Sequence, residues 1–162
     1  NAREEEMSVT YFKNEKASKE KTDKGWFRSG DIGHRDKEGW FYFEYRDGGG
    51  IRRNGDFINP GFVEGAVADH AMVDDVFIWG VETENNSPGE REVVAAVVAT
   101  DRDAFDPQDV FRFCREKLES NFVPTFIQIL DEIPKTASEK PQERFCLEDF
   151  EAGLGNVVRE NR

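Results

Sequence analysis

Apolar and polar positions change their spacing several times along the chain, and each spacing predicts an element. Residues 13–24 are polar without an apolar period, which predicts a solvated helix or a loop. The aromatic run at residues 40–45 is typical of a strand, and the polar turn at residues 36–39 predicts that it pairs with the preceding segment as a hairpin. Three consecutive glycines at residues 48–50 cannot form the interior of a regular element, so they predict a loop or hinge.

Beyond these glycines the pattern predicts a second set of elements in the order ββ-α-β-β-α-β-loop-α. Asn54-Gly55 is a strong hairpin turn, and the pairs Asn59-Pro60 and Asp106-Pro107 are typical helix starts. Apolar residues at helical spacing follow the two starts: Phe62, Val63, Ala66, Val67 and Ala71 in one, and Val110, Phe111, Cys114 and Leu118 in the other. The remaining segments are strands at 76–81, 93–99 and 126–130, a polar loop at 134–141 and a helix at 145–154.

This order of elements indicates an α+β fold, in which flanking helices cover a small mixed or antiparallel sheet. The strand at residues 93–99 is apolar without alternation, which predicts that it is buried on both faces at the centre of that sheet. The glycines at 48–50 are the best domain boundary in the chain.

Charge changes this picture by excluding some partners. The chain has 162 residues and a formal net charge of −12. Residues 60–133 hold 16 acidic and 5 basic residues, whereas the flanking segments are close to neutral. The acidic balance argues against a nucleic acid as partner. The segments 25–59 and 134–145 are close to neutral, so they would not repel an anionic nucleotide ligand.

The sequence has no pattern typical of a disulfide framework, a metal site, a membrane span or a signal peptide. Cys114 and Cys146 are too few and too far apart for a disulfide framework, and no spacing of His or Cys predicts a metal site. No apolar run is long enough for a membrane span, and the N-terminus does not look like a signal peptide. We therefore expect a cytoplasmic protein without a bound metal.

Five features have both a chemical and a purely structural interpretation. Asp31 could accept hydrogen bonds from a diol such as ribose, or cap a turn. Arg46 could bind a phosphate or a ribose, or be an ordinary surface residue. The three glycines are a functional hinge or a plain linker. Asn54-Gly55 offers bare backbone to a ligand or is only a turn. The two lysines of the 134–141 loop are mobile charges for a carboxylate or phosphate, or solvated.

The order of these features is more specific than any one of them. Gly-Trp-Phe-Arg-Ser-Gly-Asp at 25–31, Tyr-Arg-Asp at 45–47, the segment 51–64 and Pro-Lys-Thr-Ala-Ser-Glu-Lys at 134–140 resemble the C-terminal part of the adenylate-forming acyl-CoA synthetases. That superfamily includes acyl- and aryl-CoA ligases, the adenylation domains of peptide synthetases and beetle luciferases. The resemblance extends from about Tyr11 onward, and the loop at 134–144 is similar to that of carnitine and crotonobetaine ligases.

The resemblance implies roles in a first half-reaction, in which a carboxylate and ATP give an acyl-adenylate and pyrophosphate. Asp31 matches the residue that binds the ribose hydroxyls, and Arg46 matches an arginine that contacts the nucleotide. Lys140 matches the catalytic lysine that contacts the acyl carboxylate and the α-phosphate. Mg²⁺ is expected with ATP, held by the large domain.

The resemblance also implies a second half-reaction, in which coenzyme A gives the thioester and AMP. Asn54 and Gly55 match the turn beside which the pantetheine arm passes. Asp47 and Gly48 fall on the hinge, where Gly48 replaces a charged residue. Two further departures from the family are Ser29 in place of Thr and Glu139 in place of the Gly before the lysine.

The implied organisation has two parts. Residues 1–46 are the end of a large N-terminal AMP-binding domain with a β-hairpin strip, and residues 47–162 are a mobile lid, with the hinge near 47–50. The family's phosphate loop and acyl pocket lie in the large domain, so the chain by itself is not expected to be active. The alternative is a non-catalytic binding module, or an adenylation-domain lid that docks a carrier protein. The implied partners are a small carboxylate, ATP, coenzyme A and the N-terminal domain.

Overall fold

A computed structural model describes residues 10–23, 26–46, 49–153 and 156–161 of the chain. Its contacts divide the chain into two compact units, Asn1–Gly48 and Gly49–Arg162. No helix in the described ranges combines the length and the apolar character that crossing a bilayer requires.

The described residues of the first unit form one short helix and two antiparallel pairs of strands. Its elements are α1 (Glu15–Lys21), β1 (Thr22–Asp23), β2 (Trp26–Phe27), β3 (Asp31–Arg35) and β4 (Phe41–Arg46). β1 pairs with β2, and β3 pairs with β4, with a register shift between Ile32 and Gly33. The turn between β3 and β4 is closed by Asp36, whose carboxylate accepts the Trp40 N–H at 2.8 Å. The predicted hairpin is thereby confirmed.

In the second unit, residues 49–153 and 156–161 form a hairpin, three helices and a four-stranded sheet. Its elements are β5 (Ile51–Arg53), β6 (Asp56–Ile58), α2 (Pro60–Ala68), β7 (Val73–Val81), β8 (Glu92–Ala99), α3 (Pro107–Lys117), β9 (Phe126–Leu130), α4 (Glu143–Glu151) and β10 (Val157–Arg159). The sheet order is β10-β9-β8-β7, in which β8 and β9 are parallel and both outer pairs are antiparallel. The predicted α+β class with a mixed sheet is confirmed.

Strand β8 forms the centre of the core, as its continuous apolar pattern predicts. Val93, Ala95 and Val97 pack with residues of α2 and α3 on one face of the sheet. Val94 and Ala96 pack on the opposite face with residues of α4. Because strand side chains alternate between faces, one strand joins two apolar clusters.

Both predicted helix starts are confirmed. The side chain of Asn59 accepts the Gly61 N–H at 3.0 Å, and the side chain of Asp106 accepts the Gln108 N–H at 2.9 Å. Each of the two residues is followed by proline, which has no N–H and so leaves no unpaired donor at the first position of the helix.

Several details differ from the predicted pattern. α2 ends at Ala68, so Ala71, which was predicted on its apolar stripe, lies outside the helix. The last helix begins at Glu143, and the edge strand β10 was not predicted, because three residues within a polar tail give no strand pattern. Phe62 does not enter the core with Val63 and Val67. Its side chain is 58% exposed and forms a T-shaped ring pair with Phe122 instead.

Candidate functional site

Asp31 and Arg46 are opposite residues in the ladder between β3 and β4. The backbone N–H of Asp31 donates to the Ser29 hydroxyl at 3.1 Å, so the hydroxyl that Ser and Thr share fixes the start of the strand. Gly30 between them has φ +85°, a conformation that favours glycine. The side chain of Arg46 lies outside the described part of the chain, but the hairpin register brings the two backbone positions together.

The predicted hinge residues Asp47 and Gly48 lie outside the described residues. Gly50, the last glycine of the run, lies close against the ring of Phe57. A Cβ on Gly50 would lie 1.9 Å from Cζ of Phe57, so any other residue at position 50 would displace that ring. Gly50 therefore lets the chain enter β5 beneath the side chain of Phe57.

The turn at Asn54-Gly55 has the geometry that its sequence predicts. Asn54 has φ +51° and Gly55 has φ +86°, both in the left-handed region that a two-residue hairpin turn uses. The Gly55 N–H donates to Oε1 of Glu90 at 2.9 Å. A Cβ added at Gly55 would meet nothing within 4 Å, so a narrow, extended ligand could lie directly against this backbone.

A second set of contacts holds this turn from the other side. Asn121, in the connection between α3 and β9, accepts the Asn54 Nδ2–H at 3.1 Å and donates from its own Nδ2 to Asp56 at 2.6 Å. The guanidinium of Arg53, which is only 2% exposed, donates to the carbonyl oxygens of Asn121 at 3.0 Å and Val123 at 2.7 Å. The turn is thus fixed to a segment far away in sequence.

Lys140 lies on a loop that is closed by two hydrogen bonds between its backbone and Thr136. The Thr136 N–H donates to the Lys140 carbonyl at 2.9 Å, and the Lys140 N–H donates to Oγ1 of Thr136 at 3.2 Å. Lys135 and Pro141 form an isolated bridge at the base of the loop. Glu139 has φ +61°, so the residue that stands in place of the family's glycine adopts the conformation that glycine favours.

The two lysines of this loop have different surroundings. The Lys135 ammonium lies 2.6 Å from Oδ2 of Asp75, and this hydrogen bond raises the pKa of Lys135 above its usual range. The described residues place no carboxylate within 4.0 Å of the exposed Lys140 ammonium. Lys135 fastens the loop to β7, whereas the Lys140 side chain is exposed.

A cleft of about 630 Å³ lies beside this loop. The acidic residues that line it are Asp74, Asp75, Asp131, Glu132 and Glu139. Lys135 is the lysine among its lining residues, and its charge is already paired with Asp75. The cleft is therefore unfavourable for a phosphate or a carboxylate.

The structure places Asp31 and Arg46 in the first unit and Asn54, Gly55 and Lys140 on two loops of the second. Sequence reasoning missed Asp75, Glu90 and Asn121, which fix those loops. None belongs to a motif, and each acts at a distance of 35 to 67 residues along the chain. Within the described ranges, no three His, Cys, Asp or Glu side chains are grouped so as to hold a metal ion.

Comparison with known proteins gives a consistent result. Residues 63–140 match the model of the AMP-binding enzyme C-terminal domain. A crotonobetaine/carnitine–CoA ligase of Escherichia coli is 30% identical over 131 residues, which cover 80% of this chain and 25% of that protein. The chain therefore spans about a quarter of the length of the curated relatives it matches.

Solved structures show the same likeness. A fatty acyl CoA synthetase of Mycobacterium tuberculosis has a TM-score of 0.63 and 27% identity, covering 88% of this chain and 28% of that one. An o-succinylbenzoate coenzyme A synthetase of Bacillus subtilis, solved with ATP and a magnesium ion, has a TM-score of 0.71 and 27% identity. That match covers 82% of this chain and 26% of the solved one.

Proposed function

Residues 63–140 belong to the AMP-binding enzyme C-terminal domain family, and from that premise we propose that the chain is the C-terminal part of an ATP-dependent carboxylic acid–CoA ligase. The observation that carries the proposal is the loop at 134–141, which binds Lys135 to Asp75 and leaves the Lys140 ammonium exposed. Free ATP and coenzyme A are its substrates, so we place the reaction in the cytoplasm.

In the first half-reaction, a carboxylate oxygen attacks the α-phosphorus of ATP and pyrophosphate leaves with the bonding electron pair. Negative charge builds up on the oxygens around phosphorus as the new bond forms. The Lys140 ammonium would lie against those oxygens and stabilise the transition state. Asp31 would accept hydrogen bonds from the ribose hydroxyls, and Arg46, its partner in the hairpin register, would contact the nucleotide.

In the second half-reaction, the sulfur of coenzyme A attacks the acyl carbonyl, the thiol loses its proton and AMP leaves. The pantetheine arm is narrow and extended, so it suits the bare backbone at Gly55, where even an added Cβ would meet no atom within 4 Å. Asn54 would border the same passage. Rotation of the second unit about residues 47–50 would bring first Lys140 and then Gly55 to the reacting centre.

Two requirements of the reaction point to a preceding domain. The sequence contains no phosphate-binding loop. Nor do the described residues group three metal-ligating side chains, so the Mg²⁺ that accompanies ATP would be held by that domain. We propose that the 162-residue chain is inactive until joined to it.

The test compares the full-length gene product with the 162-residue chain. Each is incubated with ATP, Mg²⁺, coenzyme A and a panel of carboxylic acids that begins with crotonobetaine and carnitine, which the E. coli relative's name suggests. We expect acid-dependent pyrophosphate release and an acyl-CoA product, detected by mass spectrometry, from the full-length protein alone. Pyrophosphate release without acyl-CoA, but with acyl transfer to a carrier protein, would identify a carrier-protein acceptor. No acid-dependent pyrophosphate release would contradict the ligase assignment.

A further inference from the structure

We propose that Asn121 is a positioning residue for the thiol-transfer step, because it holds the Asn54-Gly55 turn in the shape that leaves the Gly55 backbone open. The inference rests on the proposed function, since it gives that turn a role in binding the pantetheine arm. Asn121 itself does not touch a substrate in this proposal. It acts through the turn.

The side-chain amide of Asn121 bridges both arms of the turn. Its Nδ2 donates to Oδ2 of Asp56 at 2.6 Å, and its Oδ1 accepts from Nδ2 of Asn54 at 3.1 Å. A carboxylate can only accept, so the contact with Asp56 decides which end of the Asn121 amide faces which neighbour. Both bonds are needed to hold the turn from its two sides.

The backbone of Asn121 is fixed independently of its side chain. Its carbonyl accepts from the Arg53 guanidinium at 3.0 Å, and the same nitrogen donates to the Val123 carbonyl at 2.7 Å. Arg53 is 2% exposed, its bond to Val123 is buried and its bond to Asn121 is partly buried, so water has little access to this nitrogen. The amide of Asn121 is therefore presented from a rigid base.

The conformation of Asn54 explains why such support is useful. A non-glycine residue at φ +51° is disfavoured by contacts of its own Cβ. The bond from the Asn54 side chain to Asn121 favours this conformation, and the bond from the Gly55 N–H to Glu90 fixes the next peptide. The turn is held before any ligand arrives, so binding does not have to order it.

This support is separate from the loop that carries Lys140. That loop is closed by Thr136 and fastened through Lys135 to Asp75, and none of those hydrogen bonds involves Asn121. Loss of the Asn121 bridge is therefore expected to impair thiol transfer and to spare formation of the adenylate. A general loss of folding would impair both.

The test uses Asn121→Asp, Asp56→Asn and the double variant in the full-length enzyme. In Asn121→Asp a carboxylate faces the Asp56 carboxylate, and the repulsion opens the turn. Asp56→Asn alone keeps an acceptor for the Asn121 N–H. In the double variant the new amide at position 56 donates to the new carboxylate at position 121, so the bridge reforms with donor and acceptor exchanged.

We expect Asn121→Asp to raise KM for coenzyme A about fivefold to tenfold, the effect of losing roughly one hydrogen bond. Pyrophosphate release stays at the wild-type rate, and the double variant restores KM. Hydrogen exchange of peptides covering residues 51–58 is expected to be faster in Asn121→Asp than in the wild type, and to return to the wild-type rate in the double variant. An unchanged KM, or a KM that the double variant does not restore, overturns the role of Asn121. If the wild-type enzyme releases pyrophosphate and forms no acyl-CoA, the proposed function itself fails.

Discussion

The Lys135 ammonium and the Asp75 carboxylate form an ion pair of 2.6 Å that joins the 134–141 loop to strand β7. The charge of Lys135, the first of the two lysines on the loop, is therefore already paired. The backbone of the second lysine, Lys140, is joined to Thr136 by two hydrogen bonds, one to the Thr136 N–H and one to its hydroxyl. Two residues of the same type, five positions apart, thus have different surroundings, which makes them a matched pair for mutation.

Lys140→Ala in the full-length enzyme is expected to reduce adenylate formation by about 10²-fold or more, because a preorganised charge at the reacting phosphate is lost. Thioester formation from supplied acyl-adenylate should continue at the wild-type rate. Pyrophosphate release and acyl-CoA formation, measured separately, distinguish the two half-reactions.

Lys135→Ala is the matched control, since it removes an equal charge from the same loop. It frees Asp75 and loosens the base of the loop, so we expect a smaller effect on adenylate formation than that of Lys140→Ala. If Lys135→Ala is the more damaging of the two, or if both half-reactions survive Lys140→Ala, the assigned role of Lys140 is wrong.

Glu139→Gly is expected to stabilise the chain by about 0.5–1 kcal/mol, because Glu139 has φ +61°, where a Cβ is disfavoured. Glycine removes that cost at the expense of a more flexible unfolded chain. Glu139→Ala removes the same charge and keeps the Cβ, so it should give no such gain. Urea unfolding of the three proteins measures the difference. Equal stabilisation by Gly and Ala would assign the effect to charge instead of backbone conformation.

Cys114 and Cys146 are expected to be unreactive in the folded chain. Both are free and buried, and burial raises the pKa of each thiol to about 11. The reactive thiolate is therefore scarce near neutral pH. A thiol reagent such as DTNB should label neither cysteine in the folded protein and both in denaturant. Rapid labelling of either residue in the folded protein would show that its part of the core opens.

Local patterns were sufficient to predict most of the elements. The apolar run of β8, the helix starts at Asn59 and Asp106 and the turn at Asn54-Gly55 each depend on residues adjacent in sequence, and all are present. β10 was missed because its three residues gain their strand conformation only by pairing with β9.

The supports of the candidate site could not be predicted in the same way. Asn121 lies 67 residues from Asn54, and Lys135 lies 60 residues from Asp75. Neither Asn121, in a connection, nor Asp75, near the start of β7, belongs to a local sequence pattern. Each gains its partner only when the chain has folded. The resemblance to a family could single out Lys140 and Gly55 as candidates, because those positions belong to motifs, but not the residues that hold them.

Glu64→Gln is expected to make the stability of the chain less dependent on pH. The Glu64 carboxylate is half-buried and accepts the Ile78 N–H at 2.9 Å, and burial raises its pKa above the usual range. Between its unfolded and folded pKa values the folded state binds more protons, so stability is highest below that window and falls as pH rises through it. Glutamine keeps an oxygen for the Ile78 N–H and carries no charge, so the variant should lose this decline. Urea unfolding from about pH 4 to pH 7 measures both slopes, and a wild-type slope that persists in Glu64→Gln would show that another group causes it.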